Sequence, residues 1–180
     1  MTTFDIIVLV RVVDEFGQTL PPGEEGEIIA RGHCVMKGYW NNPRETRKTV
    51  KEGWLYTGDI GKLDEDGYVY FLDRKKEMII SGGFNIYPKE LENVLYQHPG
   101  VLEASVIGVP DERLGEIPKA YIALKEGYSV TEDEIKTFAL ERLANYKKIR
   151  EVEIIKEIPK TATGKLMKRK LVEMEKEKQS

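Results

Sequence analysis

The chain has 180 residues, of which 41% are hydrophobic and 33% are charged, a composition typical of a folded globular protein. A formal net charge of -3 excludes a surface that is basic throughout, as a general nucleic-acid or anionic-membrane binder would need. The single cysteine, Cys34, excludes an intrachain disulfide, and the longest apolar run, Ile6–Val10, is far shorter than the ~20 residues of a membrane span. We expect a cytoplasmic protein with no transmembrane segment and no metal site within this chain.

The first part of the sequence, up to about Leu72, predicts strands separated by glycine- and proline-containing turns. The exception is NNPRETRKTV, which predicts a short helix with Asn42 as its N-cap and Pro43 at its first position. The predicted strands are residues 6–13, EIIARG, GWLYTGDIGKL and YVYFL. A sheet of only these strands would have unpaired edges. We therefore interpret residues 1–73 as part of a larger β unit.

After Asp73 the pattern changes to alternating helices and strands. The charge run DRKKEM predicts a connector, and EMIISGGFNIY predicts a hairpin with its turn at Gly82–Gly83. Helices are predicted from Pro88 and from Thr131, which forms a capping box with Glu134. The remaining predicted elements are the strands ASVIGVPD, KAYIAL and EVEIIKEI and the tail helix LMKRKLVEMEKEK. The sequence therefore predicts an α+β fold, in which residues 74–180 form a small domain with helices packed against one sheet.

Two glycine-containing motifs could bind a ligand or simply form turns. Asp59 follows a glycine in YTGD and could accept hydrogen bonds from a ribose diol, although turn chemistry favours a carboxylate that satisfies nearby backbone N–H groups. Gly83 in SGGFN could admit a ligand close to the backbone, although an ordinary glycine turn is the commoner interpretation. Arg74, Lys75 and Lys76 could contact phosphate or form a solvated face.

The stretch PKTATGKLMKRK, residues 159–170, presents Lys165 behind a glycine. It is not a P-loop, because the first glycine of that motif is missing and Leu166 stands in place of its Ser/Thr. Its basic residues could form a nucleic-acid patch, but no aromatic residue lies among them and glutamates follow at once. The local pattern leaves Lys165 as a loop lysine that is either functional or merely solvated.

Four ordered segments resemble the C-terminal part of the adenylate-forming acyl-CoA synthetase family. They are GEIIARGHCVMKGYWNNPRETRKTV, GWLYTGDIGKLDEDGYVYFLDRKKEMIISGGFNIYPKELE, VIGVPDERLGE and PKTATGKLMKR. The form DRKKEMIISGGFNIYP is more similar to fatty-acyl and aryl-CoA ligases than to the adenylation domains of peptide synthetases. The resemblance implies that residues 1–73 are the C-terminal β subdomain portion of the large AMP-binding domain and that residues 74–180 are the mobile C-terminal domain.

The resemblance also implies a two-step reaction with ATP and CoA as co-substrates. A carboxylic acid and ATP give an acyl-adenylate and pyrophosphate, and CoA then displaces AMP to form a thioester. In this scheme Asp59 holds the ribose hydroxyls of ATP, and Arg74 lies near the ribose and phosphate. Lys76 is the hinge, Gly83 lines the pantetheine path, and Lys165 reaches the carboxylate and the α-phosphate.

Several parts of the family pattern are missing from the sequence. The phosphate loop, the motif that supplies the Mg²⁺ ligand, the adenine-contact segment and the acyl pocket would all precede Met1. We therefore expect a C-terminal fragment that has no ligase activity alone, with a fatty acid as the first-choice substrate of the whole enzyme and an aryl acid as the second. The alternative is a stand-alone, non-catalytic binding or regulatory module with the same fold.

Overall fold

The computed structural model describes residues 8–178, which fall into two compact units within Met1–Lys76 and Glu77–Ser180. The division lies in the charged connector that begins at Asp73. The first two residues of the strand predicted at 6–13 lie outside the described residues. None of the described helices has the length and apolar character that a bilayer crossing requires.

The first unit is built on an antiparallel sheet in which β4 is the central strand. β4 pairs with β2, β3 and β5, and β1 pairs with β2. The elements of this unit are β1 (Val8–Val13), β2 (Gly26–Gly32), α1 (Pro43–Thr49), β3 (Val50–Lys51), β4 (Trp54–Leu63) and β5 (Val69–Arg74). Short turns join antiparallel strands readily, which explains why the glycine-containing turns punctuate this part of the sequence.

Helix α1 begins as the sequence predicts. Asn42 is its N-cap and accepts a hydrogen bond from the Glu45 backbone N–H at 3.1 Å, with Pro43 in the first turn. The helix ends at Thr49, because Val50 and Lys51 pair with β4 as the short strand β3. The sequence analysis missed β3, since two residues are too few to show a strand period.

The second unit is an α+β domain, as predicted, with β9 at the centre of its sheet. β9 runs antiparallel to β8 along its length, parallel to β10, and bridges β6 between Gly115 and Ser81. The elements are β6 (Ile79–Ser81), β7 (Phe84–Ile86), α2 (Pro88–Leu95), β8 (Val101–Asp111), β9 (Gly115–Leu124), α3 (Glu132–Leu140), β10 (Glu151–Ile154) and α4 (Lys168–Lys178). The hairpin, the capping box and the tail helix all lie where the sequence predicts them.

The sheet of the second unit is apolar on both faces. Alternation along β9 directs Ala120 and Ile122 into one buried cluster and Tyr121 and Ala123 into another. Helices α2 and α3 contribute side chains to the first cluster, and α4 contributes Leu171 to the second. The helix that follows the Lys165 loop is therefore docked on the sheet by an apolar contact.

Strand lengths in this unit differ from the predicted ones. β9 begins four residues before KAYIAL, because the Asp111 carboxylate accepts the Arg113 and Leu114 backbone N–H groups in the turn and pairing starts at Gly115. β8 begins three residues before ASVIGVPD, at the end away from this turn, where Val101 pairs with Leu124. β10 ends at Ile154, whereas the predicted strand continues to Ile158, whose side chain is fully buried in the second cluster.

Candidate functional site

Asp59 and Arg74 face each other across β4 and β5. They are register partners, and Arg74 Nε lies 2.8 Å from Asp59 Oδ1. The two atoms are not aligned as a hydrogen bond, and the buried Oδ1 accepts none among the described residues. The backbone N–H of Asp59 donates to the hydroxyl of Thr57 at 3.1 Å. The local turn chemistry favoured a carboxylate that satisfies backbone N–H groups, whereas the Asp59 carboxylate faces an arginine and keeps acceptor capacity.

A buried glutamate supports the backbone before Asp59. Gly58 has a φ of +73°, a left-handed conformation that glycine adopts without strain, and its N–H donates to Glu27 Oε1 at 3.2 Å. The other carboxylate oxygen of Glu27 pairs with Lys75 Nζ at 2.7 Å. Glu27 is only 8% exposed, so it ties β2 to the turn in β4 and to the segment after β5.

Lys76 is exposed and lies in the 3₁₀ turn Lys75–Glu77. The boundary between the two compact units falls directly after it. A residue at such a boundary can change its backbone angles without unpacking either unit, so the position suits the hinge role that the resemblance implies.

Gly83 lies in the two-residue turn between β6 and β7. Gly82 and Gly83 have φ values of +57° and +84°, as expected for a hairpin turn with two left-handed residues. A Cβ at Gly82 would lie 3.2 Å from Leu114 Cδ2, whereas a Cβ at Gly83 would meet nothing within 4 Å. The Gly82 N–H donates to the Leu114 carbonyl at 2.9 Å, so the turn is fixed on one side and open at Gly83.

Lys165 extends from a compact loop that closes on itself. Thr161 N donates to the Lys165 carbonyl at 2.8 Å, and Lys165 N donates to Thr161 Oγ1 at 3.2 Å. Gly164 reverses the chain with a φ of +80°. The side chain of Lys165 is exposed, and among the described residues its ammonium has no carboxylate partner. The loop therefore presents a free cation on an ordered backbone.

Ion pairs hold both ends of this loop. Before it, Lys160 Nζ lies 2.7 Å from Glu103 Oε1 on β8. After it, Lys168 Nζ lies 3.0 Å from Glu77 Oε2 and 2.9 Å from Glu92 Oε1. Burial alone would lower the pKa of Lys168, but the charges of Glu92 and Glu77 outweigh it and raise that pKa above its usual value.

A buried polar cluster fixes α4 to the sheet. Glu175 accepts hydrogen bonds from the Tyr121 hydroxyl, from Lys119 Nζ at 2.8 Å and from Lys178 Nζ at 3.1 Å. Burial would raise the pKa of Glu175, but these donors outweigh it and lower the pKa to about 2. Burial and the hydrogen bond to this carboxylate raise the pKa of Tyr121. The helix that carries the Lys165 loop is thus held by charge as well as by apolar packing.

Most of the basic residues that could have formed a nucleic-acid patch are paired with glutamates. Arg169 and Lys170 pair with Glu173 on the same helix, at 3.1 and 3.7 Å. Lys160 and Lys168 are paired as described above. Neutralised in this way, these residues do not form the basic surface that phosphate-backbone binding requires.

The structure pairs only two of the predicted site residues, Asp59 and Arg74, in the first unit. Gly83 and Lys165 lie on separate loops of the second unit, and Lys76 ends the first. The supporting residues were not predicted from the sequence; they are Glu27, Glu92, Glu103, Lys168 and Glu175. One of them was visible in principle: Glu175 lies four residues after the buried Leu171 and so on the same face of α4.

Comparisons with known proteins identify a family model and relatives that the chain matches. Residues 90–165 match the model of the AMP-binding enzyme C-terminal domain. A long-chain-fatty-acid–CoA ligase of Bacillus subtilis is 50% identical over 91% of the chain and 29% of its own length. A feruloyl-CoA synthase of Amycolatopsis is 46% identical over 88% of the chain and 32% of its own length.

Solved structures give the same result. ATP-bound MatB from Rhodopseudomonas palustris matches with a TM-score of 0.87 and 39% identity, over 93% of the chain and 34% of that protein. The o-succinylbenzoate CoA synthetase of Bacillus subtilis, in complex with its acyl-adenylate intermediate, matches with a TM-score of 0.84 and 40% identity, over 91% of the chain and 33% of that protein. The chain spans about a third of the length of the relatives that it matches. Residues 90–165 thus match the AMP-binding enzyme C-terminal domain family, and the chain is similar to the C-terminal part of acyl-CoA ligases.

Proposed function

We propose that this chain is the C-terminal part of an acid–thiol ligase. In the first step a carboxylate oxygen of the substrate attacks the α-phosphorus of ATP, forming the acyl–phosphate bond and releasing pyrophosphate. In the second step the CoA sulfur attacks the acyl carbon, the thioester forms, the thiol proton is released, and AMP leaves with the electron pair of the broken bond. Relatives named as CoA ligases for different acids support this reaction class.

One observation carries the proposal: Lys165 is exposed and its ammonium is unpaired among residues 8–178, on a loop whose flanking lysines are both ion-paired. Carboxylate attack on a phosphate brings two anions together, and a positioned cation stabilises the charge that develops between them. A lysine with no partner of its own loses no ion pair when it enters such a site. We therefore assign Lys165 to the adenylation step.

The other roles follow the geometry of each unit. The Asp59 carboxylate is an acceptor group that suits the ribose hydroxyls, and the half-exposed Arg74 beside it suits the ribose and phosphate. No atom lies within 4 Å of the position that a Cβ would take at Gly83, so the pantetheine arm could pass close to the backbone there. Lys76, at the unit boundary, is the hinge residue at which the backbone rotates between the adenylation step and the thioester-forming step.

Mg²⁺ belongs with the ATP substrate in this proposal. Within residues 8–178 there is no group of three or more His, Cys, Asp or Glu side chains placed to hold a metal ion. Following the resemblance to the ligase family, we place the protein ligand of Mg²⁺ in the part of the enzyme outside this chain. The chemistry that the ion would supply is neutralisation of the pyrophosphate leaving group.

The acyl substrate is proposed to be a fatty acid, with an aryl acid as the second choice, in a cytoplasmic enzyme. The relative named for long-chain fatty acids is 50% identical, and the one named for feruloyl-CoA is 46% identical. Because the chain spans about a third of these relatives, we propose that it has no ligase activity alone. Pyrophosphate release across a panel of acids, by the full-length protein and by this chain, tests both statements. Turnover by the chain alone would contradict the second.

The test of the Lys165 role separates the two half-reactions in the full-length protein. Lys165→Ala should slow acyl-adenylate formation by on the order of 100-fold, as removal of one transition-state stabiliser commonly does. Thioester formation from supplied acyl-adenylate should change by less than about 3-fold, because the phosphate is already transferred. Lys156→Ala is the matched control, since Lys156 is also an exposed lysine and precedes the loop. Equal losses in both half-reactions would refute the assignment, and the absence of both half-reactions from the parent protein would favour a non-catalytic module.

A further inference from the structure

Lys168 is the first residue of α4 and lies three positions after Lys165. Its ammonium contacts two elements at once: Glu77, the first residue after the unit boundary, at 3.0 Å, and Glu92 in α2 at 2.9 Å. The base of the Lys165 loop is therefore tied to the segment that follows the proposed hinge.

This ion-pair cluster is shielded from water. The side chains of Lys168 and Glu92 are 21% and 7% exposed, and Glu92 Oε1 also accepts the Val106 backbone N–H at 3.0 Å. A pair held in this way has one defined geometry, unlike a solvated surface pair. The cluster joins α4, α2 and β8 through one carboxylate.

Arg169 and Lys170, the next two residues of α4, pair within their own helix. Both contact Glu173, so these pairs leave the position of the helix unchanged. Lys178 pairs with Glu153 and Glu175 at the far end of α4, away from the loop. Lys168 is therefore placed to fix the point where the Lys165 loop joins α4.

We propose that Lys168 is a positioning residue for Lys165. It locks the first turn of α4 to Glu77 and Glu92, so that a rotation at the boundary after Lys76 moves Lys165 as part of a rigid body. This inference rests on the proposed function, because it assumes that Lys165 must reach the reacting carboxylate and phosphate. A displacement of about 1 Å in such a group can cost on the order of 100-fold in rate.

The experiment uses Lys168→Met, Lys168→Arg and Lys165→Ala in the full-length protein, with the two half-reactions measured separately. Lys168→Met should slow adenylation on the order of 10- to 100-fold and change thioester formation from supplied acyl-adenylate by less than about 3-fold. Lys168→Arg should restore most of the adenylation rate. Lys170→Met is the matched control, the same substitution on the same helix, and should leave both rates unchanged.

The double variant Lys165→Ala/Lys168→Met distinguishes positioning from direct catalysis. If Lys168 acts through Lys165, the double variant should be no slower in adenylation than Lys165→Ala, within about 3-fold. Losses that multiply in the double variant would overturn the proposal. So would equal losses in both half-reactions for Lys168→Met.

Glu77→Gln keeps the test decisive if Lys168→Met fails to fold, because it weakens the hinge-side contact and leaves the buried Glu92–Lys168 pair intact. Its melting temperature should match that of the parent, while adenylation falls and thioester formation does not. An adenylation rate unchanged in Glu77→Gln would then overturn the proposal. If Lys165→Ala itself leaves adenylation unchanged, the proposed function fails. If Lys165→Ala slows only adenylation but the Lys168 variants slow both half-reactions equally, only the positioning role fails.

Discussion

At the scale of single residues, Gly83 and Gly67 have nearly the same local geometry. Their φ values are +84° and +85°, and a Cβ at either would meet no atom within 4 Å. Backbone conformation therefore explains both glycines equally well. What distinguishes Gly83 is the role proposed for the surface next to it.

This equivalence makes Gly67→Ala a control for Gly83→Ala. Each substitution should cost about 1 to 2 kcal/mol of unfolding free energy, because alanine is strained in the left-handed region. In the full-length enzyme only Gly83→Ala should also slow thioester formation, on the order of 10-fold, since a methyl group would stand in the proposed pantetheine path. Chemical denaturation and half-reaction rates measure the two effects. Equal thioester rates in the two variants would remove Gly83 from that path.

At the scale of elements, α4 depends on a carboxylate whose ionisation is coupled to folding. Glu175 titrates near its ordinary value of 4.5 when unfolded and at about 2 when folded. A lowered folded pKa contributes stability above the unfolded pKa, and that stability is lost as the pH falls through the folded pKa. The contribution is up to about 3 kcal/mol by linkage.

We therefore predict that the unfolding free energy of this chain falls between about pH 5 and pH 2 and that Glu175→Gln flattens this fall. At neutral pH the Glu175→Gln variant should be less stable than the parent, because Tyr121 and Lys119 lose their hydrogen bonds to the Glu175 carboxylate. Urea denaturation as a function of pH measures both effects. Glu173→Gln, on the same helix but paired at the surface, should follow the parent curve. A Glu175→Gln curve parallel to that of the parent would show that this carboxylate is not coupled to folding.

The start of α3 is a second element whose stability can be attributed to named hydrogen bonds. Thr131 Oγ1 accepts the Glu134 N–H at 3.2 Å, and Glu134 Oε2 accepts the Thr131 N–H at 2.7 Å. Thr131→Ala should cost about 1 kcal/mol of unfolding free energy. Thr137→Ala, at an exposed position later in the same helix, should stay within about 0.5 kcal/mol of the parent. Equal costs at the two positions would mean that the capping box contributes nothing specific.

At the scale of the whole molecule, the proposed function depends on movement at the boundary after Lys76. Proline fixes φ near -65°, so Lys76→Pro should restrict rotation there in the full-length enzyme. We expect one half-reaction to be retained and the other to be slowed by on the order of 10-fold or more, whereas Lys76→Ala should leave both intact. Stopped-flow measurement of each step provides the readout. A loss shared equally by both steps would argue for a folding defect instead of a hinge.

Local sequence was sufficient for the features that depend on local chemistry. Asn42 with Pro43, the Gly82–Gly83 turn, and Thr131 with Glu134 lie where their capping and turn propensities predict them. The α+β class also followed from the order of the elements. The limits of β8, β9 and β10 did not, because pairing with a neighbouring strand decides where a strand ends.

In the candidate site, too, short motifs could be identified from the sequence, whereas ion pairs could not. The sequence by itself singled out Asp59, Arg74, Lys76, Gly83 and Lys165, since each stands in a short motif. It could not separate the free Lys165 from the paired Lys160 and Lys168, because ion pairing depends on residues distant in the chain. Tertiary structure alone decided that Glu103 and Glu92 pair with those two lysines, while Lys165 has no carboxylate partner in the described part of the chain. The physical reason is that charge interactions depend on distance in space, and only the packing of α4 and α2 on the sheet sets those distances.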